Sequence, residues 1–225
     1  MERTDQHWPD SFERHDPTEL ERLRLVRYLR ERCGIRSPSV LDALAQVPRE
    51  CFVSEELREL AYADRALPIA YEQTISQPYI VALMTELANL RPGERVLEIG
   101  TGCGYQTAVL AATGAEVFSI EIVEPLARAA AARLRALGVH ADLRVGDGHL
   151  GLPEHAPYMA ILVTAAPPAI PSQLVDQLAL GGRLIIPVGD EGKDQQLLVV
   201  RRTRDGRQVE RVAPVRFVPM TGVFH

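Results

Sequence analysis

Val96-Leu97-Glu98-Ile99-Gly100-Thr101-Gly102-Cys103-Gly104-Tyr105 is the stretch on which the fold turns. Val96, Leu97 and Ile99 read as a buried strand. Three glycines at alternate positions follow, and a helix is predicted to open at about Tyr105. Glycine allows positive φ and close approach of a ligand to the backbone. The helix N-terminus beyond offers free N–H groups and a partial positive charge. Strand, glycine turn and helix in that order make a nucleotide cradle at the C-terminal edge of a parallel strand.

The spacing narrows the choice of nucleotide. A dinucleotide loop reads G-x-G-x-x-G, but here the third glycine comes one position early and Tyr105 fills its usual place. Glu98, two residues before Gly100, favours a cationic ligand over a pyrophosphate. S-adenosylmethionine carries an ammonium and a sulfonium and no phosphate. The next predicted strand, 116–120, ends in Glu121, about 20 residues after Gly100, where an acid binds ribose hydroxyls. A third predicted strand, 142–145, ends at Gly146-Asp147-Gly148, putting Asp147 where an adenine amino group needs an acceptor. The expected cofactor is therefore S-adenosyl-L-methionine, leaving as S-adenosyl-L-homocysteine. Its expected contacts are Glu98, Gly100, Thr101, Gly102, Gly104, Glu121, Asp147 and Gly148. Tyr105 and the lack of an obvious hydride-transfer base disfavour a dehydrogenase.

Outward from this stretch, strands alternate with helices. Residues 1–17 are polar and aperiodic and read as a mobile arm. Thr18 and Glu21 fit a capping box for a helix with Leu20, Leu23, Val26 and Leu29 on its apolar stripe. Further helices are predicted from Ser37-Pro38 and over 55–60. Residues 66–70 read as extended. Pro78 suits the first position of a helix running to about Asn89, so Thr74 and Ser76 fall at or just before a helix N-terminus. That position suits binding a carboxylate; it equally suits a simple cap by Ser76 or Gln77. Beyond the cradle come a helix over 124–137, a strand over 159–163, a helix over 171–180 broken by Gly181-Gly182, and strands over 183–188, 196–203 and 209–219. The predicted fold is α/β: a doubly wound, mostly parallel, Rossmann-like sheet of the S-adenosylmethionine-dependent methyltransferase type with an N-terminal helical addition. Residues 18–90 are expected to supply helices and a substrate-binding loop, and 91–225 the cofactor-binding core, within one structural domain.

Bulk properties limit the partners. A net charge of −5 over 225 residues argues against a nucleic-acid or membrane surface. No apolar run reaches the ~18 residues of a membrane span. Three cysteines without C-x-x-C spacing read as reduced thiols of a cytoplasmic protein. The six histidines show no metal-ligand spacing. Thr164-Ala165-Ala166-Pro167-Pro168, after the fourth strand, offers no acid, amide or aromatic to hold an exocyclic amine, and no Pro-Cys nucleophile for a pyrimidine carbon.

Several blocks together resemble the protein-L-isoaspartate O-methyltransferase family: Val47-Pro48-Arg49-Glu50-Cys51-Phe52-Val53, Gln73-Thr74-Ile75-Ser76-Gln77-Pro78, the glycine loop, Gly146-Asp147-Gly148 and Val215-Arg216-Phe217-Val218-Pro219. The resemblance spans roughly residues 47–220. It implies methyl transfer to the free α-carboxylate of L-isoaspartyl residues in damaged proteins or peptides; the ester then closes to a succinimide, whose hydrolysis returns some normal aspartate. It implies that Ser76, with Thr74, is the catalytic pair, and that Ile75, Gln77, Phe217, Val218 and Pro219 hold the peptide. A monomer is expected. A carboxylate needs no general base at neutral pH, so Ser76 orients the acceptor rather than attacking. The alternatives are a carboxyl methyltransferase for aspartate in a dedicated peptide partner and a non-catalytic S-adenosylmethionine-binding regulator. The chain departs from the family at Glu72, where a small residue such as glycine is usual, at Met159, where aspartate is, and at Cys103, where serine is common.

Overall fold

The computed structural model describes residues 17–190, 192 and 194–222. The expected arm lies outside them except for Pro17, which opens helix α1 (Pro17–Glu31). Thr18 is thus inside the first turn rather than at the cap. Leu25 and Leu29 form the buried face of α1, whereas Leu20 and Leu23 are exposed. The buried stripe is thus rotated from the predicted one. Gly34 ends the helix at φ +78°, as expected. Helix α2 (Pro38–Gln46) follows, then two short 3₁₀ turns.

A hairpin that the sequence reading missed comes next. Strand β1 (Leu67–Pro68) pairs antiparallel with β2 (Thr74–Ile75). At its tip Gln73 N donates to Ala70 O, and Tyr71 and Glu72 have φ of 59° and 57°. Two consecutive positive φ values define a type I′ turn, which favours Asn and Gly. That is a physical reason for the small residue usual at position 72. Helix α3 (Pro78–Ala88) then opens on its proline, with Gln77 at the N-cap.

The main sheet has β3 (Arg95–Ile99), β4 (Glu116–Glu121), β5 (Asp142–Val145), β6 (Tyr158–Val163), β7 (Leu178–Val188), β8 (Gln195–Thr203) and β9 (Gly206–Val215). Their spatial order is β5-β4-β3-β6-β7-β8-β9. The first five pair in parallel, with β8 antiparallel to both β7 and β9. Helices α4 (Tyr105–Ala112) and α5 (Glu124–Ala136) are the crossovers on one side of β3. One apolar cluster fills each face of the sheet, and a third joins α1 and α2 to Tyr105, Ala108 and Val109 of α4. The N-terminal addition is therefore anchored on the helix that follows the glycine loop. No helix among the described residues is long and apolar enough to cross a membrane.

Two element boundaries differ from expectation. The helix predicted over 171–180 is only α6 (Ser172–Asp176), and Gly181-Gly182 lies inside β7. Leu178 already pairs with Tyr158, and the register slips before Arg183 meets Ala160. The glycines therefore carry a bulge, not a helix end. The last strand stops at Val215, because its partner β8 begins at Gln195. The Gln195 side chain then continues the ladder: Nε2 donates to Phe217 O at 3.1 Å and Oε1 accepts from Phe217 N at 2.6 Å.

Candidate active site

Strand order reverses between β3 and β6, and ligands of open α/β sheets bind outside the strand ends at such a point. Here a cleft of ≈ 840 Å³, open mouth included, is lined by Ile99–Cys103 of the loop, Glu121, Gly148, Thr164, Thr74–Ser76 and Val218–Thr221. A second groove adjoins it, lined by Gln77, Ile80, Gln195, Arg216 and Phe217 among others. Thr74, Ser76, Thr164 and Val218 border both spaces. The seam between the two compartments is therefore where a ligand in one could react with a ligand in the other.

The cradle wall is held by local hydrogen bonds. Thr164 Oγ1 donates to Gly100 O at 2.7 Å and to Ile99 O at 3.0 Å. A Cβ built on Gly100 would lie 2.4 Å from that oxygen, so only glycine fits there. Gly148 is as tightly placed, since its Cβ would lie 2.2 Å from Ile99 Cγ2. Glu121 accepts from Gly102 N at 2.8 Å and from Val123 N at 2.9 Å, which fixes its carboxylate on the cleft wall. Arg133 reaches from α5 to Cys103 O at 2.8 Å. Among the described residues that line this cleft none is basic. A cleft with a fixed carboxylate, two glycines where no Cβ fits, and no cation suits a nucleoside and not a pyrophosphate. S-adenosylmethionine fits it.

Three members of the expected cofactor set stand elsewhere. Glu98 is fully buried in β3 rather than on the cleft wall, and Oε2 accepts from Thr107 Oγ1 and from Ser119 Oγ, the latter at 2.7 Å. Burial, eased in part by those donors, pushes its carboxyl up to about 8 from the ordinary 4.5. Ser119 passes the chain on to Thr101, whose Oγ1 lies 2.6 Å away, so Glu98 meets the cleft only through a relay of hydroxyls. Gly104, the N-cap of α4, faces Leu134 of α5, where a Cβ would come within 3.3 Å. Asp147 is not among the lining residues either: Oδ1 accepts from His149 N at 2.9 Å and lies 2.9 Å from His149 Nδ1, and a Cβ on Gly222 would lie 2.5 Å from the carboxylate.

The expected acceptor residues divide between the compartments. Thr74 and Ser76 are at the seam, Ile75 and Pro219 on the cofactor side, Gln77 and Phe217 in the groove, and Val218 on both. Gln77 Nε2 donates to Asp64 Oδ2 at 2.9 Å, so its side chain braces the loop. Glu72 is exposed and borders neither space. The segment 216–222 is pinned by Gln195 and by Ala166, which exchanges bonds with Val218 O (2.8 Å) and Met220 N (2.9 Å). Thr164, Met220 and Gln195 were not foreseen. Thr164 alone had a signal, its place at the end of the strand that neighbours β3.

Fold and cleft together define a Rossmann-like S-adenosylmethionine-dependent methyltransferase. The family model for protein-L-isoaspartate(D-aspartate) O-methyltransferase matches residues 20–224. A protein-L-isoaspartate O-methyltransferase of Synechococcus sp. is 51% identical over 219 residues, covering 94% of this chain and 90% of its own. One from Anaeromyxobacter dehalogenans is 57% identical over 191 residues, 84% of this chain and 91% of its own. Among solved structures, a Plasmodium falciparum protein of the same name, in complex with S-adenosyl-L-homocysteine, aligns with a TM-score of 0.78 at 27% identity, over 89% of this chain and 98% of its own. The chain belongs to the protein-L-isoaspartate(D-aspartate) O-methyltransferase family. It is an enzyme, a protein carboxyl O-methyltransferase whose methyl donor is S-adenosylmethionine and whose acceptors are isoaspartyl residues.

Proposed function

We propose that Ser76 and Thr74 align the free α-carboxylate of an L-isoaspartyl residue at the seam, with Ile75, Gln77, Phe217, Val218 and Pro219 holding the surrounding peptide. Gly100, Thr101, Gly102, Glu121 and Gly148 hold the cofactor, with Glu121 on the ribose. Glu98, Gly104 and Asp147 act from behind that wall. The observation that carries this reading is the position of Ser76 and Thr74 on the border of both compartments.

When bound, S-adenosylmethionine supplies an electrophilic methyl group on a sulfonium. The chain has no proton to remove, because a carboxylate of pKa ~3.5 is already ionised at neutral pH. Its work is to align the acceptor oxygen and to strip water from it. The Thr74 and Ser76 hydroxyls supply hydrogen bonds in place of that water. Val218 borders both compartments with them, and Met220 lines the cofactor side. The reading makes the enzyme a cytoplasmic monomer with no nucleic-acid partner, supported by free Cys33, Cys51 and Cys103 and by the acidic net charge.

The test is to incubate the protein with methyl-labelled S-adenosylmethionine and two peptides that differ only in carrying L-isoaspartate or L-aspartate. Base-labile label on the isoaspartyl peptide alone is the expected result. Label on the aspartyl peptide alone would favour a dedicated aspartyl partner and overturn the reading.

A further inference from the structure

Arg49 is the largest fully buried side chain among the described residues. Its Nε donates to Ala61 O and its Nη2 to Ser76 O, each at 2.8 Å. Its guanidinium carbon lies 4.8 Å from the centroid of the Tyr105 ring. Nη1 is buried without a hydrogen-bond partner. No carboxylate pairs with it among the described residues; Asp64, the acid whose field reaches it, is itself held by Gln77 Nε2 and Tyr79 N. A buried cation without a counter-ion is costly, and this one bridges Ser76 and Tyr105. Ser76 belongs to the acceptor loop, and Tyr105 opens the helix that follows the cofactor loop.

The geometry has two consequences. Arg49 fixes the separation of the acceptor loop from the cofactor cradle. It also sets the peptide plane between Ser76 and Gln77: with the Ser76 carbonyl drawn inward to Arg49, the Gln77 N–H points the opposite way. A charged donor on that carbonyl polarises the same peptide group and strengthens its N–H as a donor. The groove's one basic lining residue among those described, Arg216, is exposed and screened by water. The desolvated positive charge next to the seam is that of Arg49.

We propose that Arg49 is the positioning residue of the acceptor site: it sets the Ser76–Gln77 peptide for the incoming carboxylate and supplies the buried positive charge that draws it in. This rests on the acceptor reading given above. It makes a division of labour testable. Arg49→Lys keeps the charge and loses the two-carbonyl fork. Arg49→Met loses both at similar volume.

Four quantities are measured on each variant: melting temperature, calorimetric affinity for S-adenosylhomocysteine, affinity of the S-adenosylhomocysteine-loaded enzyme for the isoaspartyl peptide, and kcat. For Arg49→Lys, we expect both affinities within about threefold of the parent and kcat down about tenfold, the scale of lost alignment. For Arg49→Met, we expect peptide affinity down at least about tenfold as well, ~1.4 kcal/mol, with S-adenosylhomocysteine still bound. A folded Arg49→Lys protein with unchanged kcat would overturn the positioning role. Equal peptide affinity in the Lys and Met variants would overturn the charge role. A loss of S-adenosylhomocysteine affinity in step with kcat would reassign Arg49 to the cradle through Tyr105. If Arg49→Met does not fold, Arg49→Lys decides the positioning role, and Arg49→Gln takes the place of the Met variant in the comparison that decides the charge role. Failure of the parent enzyme to methylate the isoaspartyl peptide at all would sink the acceptor reading instead.

Discussion

The two compartments are built by opposite strategies. The cofactor cleft rests on consecutive residues: β3, its glycine loop and the N-terminus of α4 form one continuous unit, closed by Glu121 from the neighbouring strand. The acceptor groove is assembled from segments far apart in the chain: the β1–β2 hairpin, the start of α3, Gln195, and the chain after β9. Local backbone geometry defends the first. Side chains reaching across the fold, Gln195 onto Phe217 and Arg49 onto Ser76, defend the second. One half of the site is thus exposed to single-atom crowding, and the other to loss of alignment.

The largest effect on cofactor binding is expected at Gly100. Gly100→Ala drives a Cβ to 2.4 Å from Thr164 Oγ1 and strains a backbone at φ +93°. Affinity for S-adenosylhomocysteine should fall at least ~100-fold by calorimetry, a loss of ~3 kcal/mol. Retained affinity would show that the cradle is not as rigid as the comparison requires. Ser76→Ala should act only on the other half. We expect kcat down ~100- to 1,000-fold, the range for one preorganised hydrogen-bond donor, with S-adenosylhomocysteine affinity unchanged. A large drop in that affinity would erase the distinction between the halves.

Glu98→Gln sharpens the contrast within the cradle. The folded protein holds the Glu98 proton up to about pH 8, while the unfolded chain releases it near 4.5. Across that window the unfolded state binds fewer protons, so stability falls with rising pH by up to ~1.4 kcal/mol per unit. Below 4.5 this contribution is fully present; above 8 it is gone. Glutamine cannot ionise. The variant should melt close to the parent at pH 5 and above it at pH 8, with cofactor affinity unchanged. A gap that does not widen with pH would mean that Glu98 is ionised in the fold. The smallest effect belongs to Glu72→Gly. Relieving a non-glycine residue at φ 57° should stabilise by about 1 kcal/mol, read as a rise of a few degrees in melting temperature. Peptide kinetics should be unaltered, because Glu72 borders neither compartment.

The same contrast explains what could be read from the sequence. The cradle was legible because its chemistry is written in adjacent letters, and the alternation of strands and helices gave the sheet. A motif carries spacing and not direction: the position of Glu98 predicts contact with the cofactor, while the chain turns its carboxylate to Thr107 and Ser119. The hairpin was invisible because its strands are two residues long and its turn is Tyr71-Glu72 rather than Asn-Gly. Gly181-Gly182 was read as a helix stop because a bulge and a cap use the same residue. Pro78 places Thr74 and Ser76 before a helix N-terminus, and only the family resemblance implies a catalytic role for them. Arg49 and Gln195 had no local signal, since what they do depends on partners 27 and 22 residues away.

The wall formed by 216–222 has a consequence for how the molecule can be silenced. Cleavage after Val215 would keep every strand of the sheet and remove one side of both compartments. Such a truncated protein would keep the sheet, lose the core packing of Phe217 and Met220, and have no working site. Abundance of folded protein would then overstate repair capacity, and a readout of the intact C-terminal segment would track it.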